Sequence, residues 1–272
     1  MLIKSINDYQ KDTLEYAIKL LKRNTPLSII KKKTHLNYNE ILYLVRLYNI
    51  NYSLKNNLPS YTLDNNRIGI IADTHLGSTN ENYHYLDLAY NYFIKHNIKN
   101  VIHCGDILQG PIDPITMTIQ EQTKSLVKRY PKSKLVTTYL LCGNHDLHVF
   151  EDDEELFSEM FSRKDIKYLG TKESYIEWSN KLFLIQHFIS KYNIDLPYVK
   201  PVVKFSGHHH FFKINKKYYD DIYVPSLSDD IKKEGESPAF LEALIENNTL
   251  YIEKKNVNKR VENVGLVYKK KM

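Results

Sequence analysis

Five short clusters rich in Asp, His and Asn occur in order along the middle of the chain, and each could bind a metal ion. They are Asp73-Thr74-His75, Gly105-Asp106, Gly143-Asn144-His145-Asp146, a single His187, and Gly207-His208-His209-His210. Carboxylate and amide oxygens mixed with imidazole nitrogens suit Mn²⁺, Fe or Zn²⁺ better than Ca²⁺ or thiolate-seeking metals.

The number of donors indicates two metal ions rather than one. The candidate ligands are Asp73, His75, Asp106, Asn144, His187, His208 and His210. Two ions roughly 4 Å apart that share a carboxylate would use all of these donors and would activate a bridging hydroxide for in-line attack on phosphorus. Two divalent cations, less two Asp charges and one hydroxide, leave a net charge of about +1, which favours an anionic phosphate ester.

Apolar runs that predict β-strands precede these clusters. The first three runs are Ile68 to Ala72, Val101 to Cys104 and Val136 to Cys142, with helical patterns over Tyr83 to His96 and Gln120 to Tyr130 between them. Such alternation predicts parallel strands joined by crossover helices. Polar groups at the carboxyl ends of these strands should therefore meet at one rim of the sheet.

The remainder of the chain is mostly strand-like, and it ends in a hairpin turn at Glu246 to Thr249. We expect a mostly antiparallel second half that completes an α/β sandwich. In an extended segment His208 and His210 point the same way while His209 points the opposite way, so His209 is interpreted as a spacer.

The order Asp-x-His, Gly-Asp, Gly-Asn-His-Asp, His and Gly-His-x-His resembles the calcineurin-like metallophosphoesterase superfamily over about residues 67–225. The resemblance implies an α/β/β/α sandwich of mixed sheets flanked by helices. It also implies the ligand sets: Asp73, His75 and His210 for one metal, Asn144, His187 and His208 for the other, with Asp106 bridging. His145 would lie near the leaving-group oxygen as a general acid or transition-state stabiliser, so Asp106 and His145 are the catalytic candidates.

Two branches of the superfamily do not fit the sequence. Its protein phosphatases follow Gly-Asp with Asp-Arg-Gly, whereas Gly105-Asp106 is followed by Ile107-Leu108-Gln109-Gly110, and the Tyr ligand of purple acid phosphatases is absent there. The run Asp73-Thr74-His75-Leu76-Gly77 looks most like the SbcD-type nuclease branch and nearby bacterial or phage phosphodiesterases. We therefore expect phosphodiesters of DNA or nucleotides as substrates and two divalent metal ions, Mn first, with Fe, Zn, Ni or Mg as alternatives.

The first fifty residues predict three helices, the last from Tyr38 to Tyr48 behind an Asn37 and Glu40 capping box. A stretch without periodicity follows, which divides the chain near Pro59 into a helical domain of residues 1–58 and a catalytic domain of residues 59–272. The apolar spacing is close to that of a helix-turn-helix, which would place the third helix in a major groove. The alternative is a small bundle that docks on the catalytic domain or forms a homodimer. The expected nucleic-acid contacts are Lys31, Lys32, Lys33 and Arg46.

Composition and charge exclude several classes. No run reaches the roughly 18 uncharged apolar residues of a membrane span, and the N-terminus lacks a signal-peptide core, so we expect a cytoplasmic protein with no membrane partner. Cys104 and Cys142 cannot form a disulfide framework. The net charge of +6 is concentrated at the two ends, where residues 1–66 carry ten Lys and Arg against five Asp and Glu. Such an imbalance is typical of nucleic-acid contact or of a solvated surface.

Three functions are compatible with these features. The leading hypothesis is a nuclease or phosphodiesterase acting on nucleic acid. The second is a phosphodiesterase for a small molecule such as a cyclic nucleotide. The third is a DNA-binding regulatory protein whose phosphoesterase fold is not catalytic.

Overall fold

The computed structural model describes residues 11–23, 25, 27–36, 41, 44, 48, 50, 61–152, 160, 163–171, 173–187, 201–216 and 219–272. The chain forms two compact units, one mainly from Met1–Ser60 and one from Tyr61–Asp195 and Pro201–Met272. The expected domain boundary near Pro59 lies outside the described residues and stays a prediction.

The first unit contains two described helices, α1 (Lys11–Lys22) and α2 (Leu27–Thr34). Apolar side chains spaced three or four residues apart share one face of α1, and they bury together with Ile30 of α2 and with residues that follow it. The buried set is Ala17, Leu20, Leu21, Ile30, Leu36, Ile41, Leu44 and Ile50. Most of the predicted third helix, including Arg46, lies outside the described residues.

The second unit contains three described helices, α3 (Tyr83–Lys95), α4 (Ile119–Arg129) and α5 (Asn144–Asp152). Its described strands are β1 (Tyr61–Leu63), β2 (Arg67–Ile71), β3 (Asn100–His103), β4 (Thr137–Cys142), β5 (Ile166–Thr171), β6 (Glu173–Trp178), β7 (Lys181–Gln186), β8 (Val203–Ser206), β9 (Lys213–Lys216), β10 (Asp220–Tyr223), β11 (Ala239–Glu246), β12 (Thr249–Val257) and β13 (Val261–Lys271). No described helix is long and apolar enough to cross a membrane.

The strands form two mixed sheets. The first has the order β13-β12-β11-β2-β3-β4-β5 and the second β1-β6-β7-β8-β10-β9. Strands β2, β3, β4 and β5 are parallel, as the strand and helix alternation predicts. The predicted fold class, an α/β protein with two mixed sheets, is confirmed.

Alternate residues of the parallel strands face two separate cores. Ile70 and Ile102 belong to a core that also contains Trp178, Phe183 and Phe205 of the second sheet. Their neighbours on the other face of the first sheet pack against α3 and α4. Both faces of β2 to β4 are therefore buried, which explains why these strands are nearly continuous apolar runs.

The second half of the chain is mostly antiparallel, as expected, but its strands are divided between the two sheets. Strands β11, β12 and β13 are antiparallel but extend the first sheet beside β2. In the second sheet, β7, β8 and β10 pair in parallel. An apolar run shows that a strand is buried but does not specify its partner strand. The hairpin is confirmed: Glu246 pairs with Thr249, and Asn247 and Asn248 have positive φ values, as a two-residue type I′ turn requires.

Candidate metal centre

Five strands end at the same rim and deliver the predicted ligands to it. Asp73 follows β2, Asp106 follows β3, Asn144 follows β4, and His187 and His208 follow β7 and β8. The chain bends sharply there rather than continuing as a strand, with φ of 54° at Asp73, 53° at Asp106 and 78° at His208. Asp and His tolerate this left-handed region better than β-branched residues do.

This bending corrects one step of the sequence interpretation. His208 and His210 (φ 60°) are not in an extended segment, yet both side chains reach the rim. The ring of His209 instead stacks on Tyr223, with centroids 3.7 Å apart. The spacer interpretation of His209 agrees with this placement, although the reason is the turn and not strand alternation.

One half of the site is built from Asp73, His75 and His210. Their donor atoms form a group that could hold a metal ion. The Nε2 atoms of His75 and His210 are 3.1 Å apart, and Asp73 Oδ1 lies 3.4 Å from His210 Nε2 and 3.9 Å from His75 Nε2. The Asp73 carboxylate is held by the backbone N–H of His208, which lies 2.9 and 3.0 Å from its two oxygens.

The other half is built from Asn144, His187 and His208, together with Asp106. Asn144 Oδ1 lies 3.1 Å from His187 Nε2 and 3.0 Å from His208 Nδ1. Asp106, His187 and His208 form a second group of potential metal ligands. The structure therefore brings together both donor sets that the superfamily resemblance implies.

Asp106 lies between the two halves. Its Oδ2 atom is 3.8 Å from His75 Nε2 in the first half and 3.0 Å from His187 Nε2 in the second. Its Oδ1 atom accepts a hydrogen bond from the backbone N–H of His145 at 2.9 Å. Oδ2 is buried, and its contact with His187 Nε2 lies outside ordinary hydrogen-bond geometry. A buried carboxylate oxygen without an aligned donor is costly, and a cation bound there would satisfy it.

Hydrogen bonds on the far side of three imidazoles fix which nitrogen carries the proton. His75 Nδ1 faces Gln109 Oε1 at 3.0 Å, His187 Nδ1 faces the Cys104 carbonyl at 2.8 Å, and His210 Nδ1 faces the Asp230 carbonyl at 2.9 Å. Each partner is an acceptor only, so each Nδ1 donates and each ring presents its Nε2 atom to the rim. The Nε2 atoms of His75 and His210 lie 3.1 Å apart and would repel each other unless a cation or a proton lies between them.

The electrostatics of the site fit cation binding. Burial alone would raise the pKa of Asp106, but His187 and His75 lower it well below its usual range. Burial would lower the pKa of His187, but the carboxylates of Asp106 and Asp73 outweigh it and raise it to about 9. For His75, burial dominates and lowers the pKa to about 4. The extra proton on His187 thus offsets part of the buried carboxylate charge in the metal-free chain, and a divalent cation can replace that proton.

His145 lies beside both halves. Its Nδ1 donates to the Gln109 carbonyl at 2.7 Å, and its ring meets the His75 ring edge to face with centroids 4.8 Å apart. His75, Asp106 and His145 form a third group whose donor atoms lie close together. The predicted catalytic histidine is therefore adjacent to the predicted bridging carboxylate.

Two glycines permit this close packing. A Cβ atom on Gly143 would lie 2.2 Å from Asp106 Oδ1, and a Cβ atom on Gly105 would lie 2.5 Å from His187 Nδ1. Gly105 also has φ +99°, which side chains rarely adopt. The Gly of the Gly-Asp and Gly-Asn-His-Asp clusters is therefore required by contact with the neighbouring ligand.

Sequence reasoning assigned no role to several supporting residues. Asp146 accepts hydrogen bonds from the backbone N–H groups of Ile107, Leu108 and Gly143, and its place at the end of the third cluster was a usable signal. The sequence distinguishes Gln109 only as a departure from the protein-phosphatase pattern. Asp230, whose carbonyl faces His210 Nδ1, lies in a loop outside the five clusters, so no sequence pattern indicates it.

The predicted nucleic-acid contacts lie in the other unit. Lys31, Lys32 and Lys33 are exposed at the end of α2. Arg46 lies outside the described residues.

Comparison with known proteins gives the following matches. The family model described as Calcineurin-like phosphoesterase matches residues 66–259, well over half of the chain. The solved structure of Yfce, a phosphoesterase from E. coli, is 13% identical with a TM-score of 0.48 and covers 75% of this chain and 98% of that chain. Vps29 complexed with zinc from Entamoeba histolytica is 13% identical with a TM-score of 0.43, covering 72% and 96%. An archaeal phosphodiesterase is 17% identical with a TM-score of 0.43, covering 68% and 98%. No curated protein sequence matches the chain.

Proposed function

Because the chain belongs to the calcineurin-like phosphoesterase family and is thus a metal-dependent phosphoesterase, we propose that it hydrolyses the phosphodiester bonds of nucleic acid or nucleotides. The carrying observation is Asp106 Oδ2, which is buried without an aligned hydrogen bond among the described residues and lies between His75 and His187. Such an atom is suited to a shared cation.

The donor sets define which residues would hold the metal ions. Asp73, His75 and His210 would hold one ion, Asn144, His187 and His208 would hold the other, and Asp106 lies between the two sets. When bound, two divalent cations activate water as a nucleophile and neutralise charge on the phosphate. Mn²⁺ is our first choice of metal because the donor set mixes hard oxygens with imidazoles.

Charge favours a diester over a monoester. Two divalent cations beside the carboxylates of Asp73 and Asp106 would give a net charge of +2, or about +1 with hydroxide as the nucleophile. A phosphodiester carries a single negative charge and matches this value, whereas a dianionic monoester exceeds it.

His145 is proposed to act at the leaving group. The Gln109 carbonyl holds a proton on His145 Nδ1, so Nε2 is the atom that can face a substrate. A second proton on Nε2 would be available to the leaving-group oxygen as it develops charge. A group that stays protonated throughout would instead stabilise the transition state without transferring a proton.

The proposal is tested with purified protein, Mn²⁺ and bis-p-nitrophenyl phosphate. We expect turnover that Asp106→Ala and Asn144→Ala each lower by at least about 10²-fold, in line with the loss of a positioned catalytic group. Asp87→Ala, which removes an exposed carboxylate from α3, is the matched control and should leave turnover unchanged. Absence of activity with every divalent metal tried, or full activity in Asp106→Ala, would refute the proposal.

Nucleic acid as the substrate is supported by the exposed lysines of the first unit. Replacing Lys31, Lys32 and Lys33 with Ala should weaken cleavage of duplex DNA and reduce its salt dependence, because fewer phosphate contacts release fewer counterions. Turnover of the small diester should not change. Equal loss on both substrates would instead favour a structural role for α2, and unchanged cleavage of DNA would favour a small substrate such as a cyclic nucleotide. DNA binding without turnover would indicate the regulatory alternative.

The homodimer and the cytoplasmic location stay predictions.

A further inference from the structure

Gln109 lies three residues after Asp106 and contacts two imidazoles of the candidate metal centre. It is buried, with 5% of its surface exposed. Its main chain is fixed without help from its side chain, because its N–H donates to the Leu76 carbonyl at 2.9 Å and the Leu108 N–H donates to Asp146 Oδ1 at 2.9 Å. The Gln109 side chain can therefore be changed while the path of the main chain is kept.

The Gln109 side chain directs His75. Its Nε2 donates to the Ile112 carbonyl at 2.7 Å, which leaves Oε1 facing His75 Nδ1 at 3.0 Å. An amide oxygen only accepts, so His75 must carry its proton on Nδ1. The His75 Nε2 lone pair is thereby directed at Asp73, Asp106 and His210.

The Gln109 main chain directs His145. Its carbonyl accepts the His145 Nδ1 proton at 2.7 Å, which turns the Nε2 atom of that ring away from the main chain. The two imidazoles that meet edge to face are thus each held by a different group of the same residue. Replacing the Gln109 side chain removes the contact with His75 and keeps the contact with His145.

We propose that Gln109 is a positioning residue whose side-chain oxygen fixes the ring orientation and proton position of His75 for metal binding, while its main-chain carbonyl orients His145. This inference rests on the proposed function, since it takes His75 as a metal ligand and His145 as the group beside the leaving oxygen. Partners of this kind orient metal-binding histidines, and their loss commonly lowers metal affinity by about 10- to 100-fold.

The first test measures Mn²⁺ binding calorimetrically in the full-length protein. Gln109→Leu removes the acceptor and should weaken the site that contains His75 by about 10- to 100-fold. Gln109→Glu keeps an oxygen acceptor for His75 Nδ1 but loses the donor to the Ile112 carbonyl, so it should lower the melting temperature and weaken Mn²⁺ binding less than Gln109→Leu does. The matched control is Gln122→Leu, because the buried Gln122 amide hydrogen-bonds to Gly110 and Met117 in the same loop but not to an imidazole. It should lower the melting temperature and leave Mn²⁺ affinity unchanged.

The second test reports the proton position directly. Imidazole ¹⁵N chemical shifts of the metal-free protein should show His75 protonated on Nδ1, and Gln109→Leu should remove that preference while His145 keeps its own. This measurement needs neither bound metal nor turnover.

Steady-state kinetics complete the design. In Gln109→Leu the Mn²⁺ concentration needed for half-maximal activity should rise with the loss of affinity, while kcat at saturating Mn²⁺ stays near that of the unmodified protein. Three results would overturn the positioning role: unchanged Mn²⁺ affinity and proton position in Gln109→Leu, equal loss in Gln109→Leu and Gln109→Glu, or equal loss in Gln122→Leu. If the binding and ¹⁵N results appear as expected but no diester is hydrolysed, the positioning role stands and the proposed function fails.

Discussion

The carboxylate of Asp146 organises the loop that carries Asp106, and its removal gives a graded prediction. It is fully buried and accepts three backbone N–H groups: Ile107 at 3.0 Å, Leu108 at 2.9 Å and Gly143 at 2.8 Å. Asp146→Ala leaves all three buried donors unsatisfied. At about 1–3 kcal/mol for each, the free energy of unfolding should fall by roughly 3–9 kcal/mol, a large share of the about 5–15 kcal/mol typical of a domain.

Asp146→Asn should lower the free energy of unfolding much less than Asp146→Ala does. An amide keeps one oxygen, which can still accept from Ile107 and Leu108, whereas its NH₂ group faces the Gly143 N–H in place of Oδ2. One unsatisfied donor corresponds to about 1–3 kcal/mol, and thus to a fall in melting temperature of roughly 2–12 °C at about 2–4 °C for each kcal/mol.

Thermal unfolding of the metal-free variants followed by circular dichroism provides the assay, with Asp87→Asn as an exposed control expected within about 0.5 kcal/mol of the unmodified protein. The reasoning fails if Asp146→Ala is no less stable than Asp146→Asn, because the cost is attributed to the number of donors left without an acceptor. It also fails if both variants melt at the temperature of the control.

Four further predictions concern the candidate metal centre. Gly105→Ala should lower both stability and Mn²⁺ affinity, because its Cβ would meet His187. Gly265 has a similar φ of +106° but open space around its Cβ, so Gly265→Ala should lower stability alone. Equal Mn²⁺ affinity in the two variants would contradict this prediction. His145→Ala should slow hydrolysis of diesters by about 10²-fold or more while metal content stays constant, with a larger loss for an alkoxide than for a p-nitrophenolate leaving group if His145 donates a proton. His209→Ala should keep its metal content, since that ring stacks on Tyr223, whereas His208→Ala should lose metal by elemental analysis. The folded-state pKa of His187 is raised to about 9. Protonated His187 should therefore stabilise the metal-free protein fully below about pH 6.5, and this stabilisation should be lost as the pH rises through about 9. Melting temperatures that rise with pH over this window would contradict the prediction.

Local sequence features predicted the elements that carry the ligands. The strands before Asp73, Asp106 and Asn144 and the helices between them were recognisable from apolar periodicity, and their observed ends lie within about one residue of the expected ones. The partners of the later strands were not recognisable, because β11 pairs with β2 over more than 170 residues of sequence. His187 illustrates the same limit, because a single His after an apolar strand has no distinguishing local pattern. Only the packing of the second sheet against the first brings His187 Nε2 to 3.0 Å from Asp106 Oδ2.

The sequence by itself determined the donor types, their order and their attachment to strand ends, since these depend on residue identity and on local periodicity. The tertiary structure alone decided the distances and the proton positions. The His75 and His210 nitrogens, 135 residues apart in sequence, lie 3.1 Å apart, and their orientation depends on Gln109 and on the Asp230 carbonyl. Contacts of this kind are made between segments that approach each other only after the sheets have formed, so no local pattern encodes them.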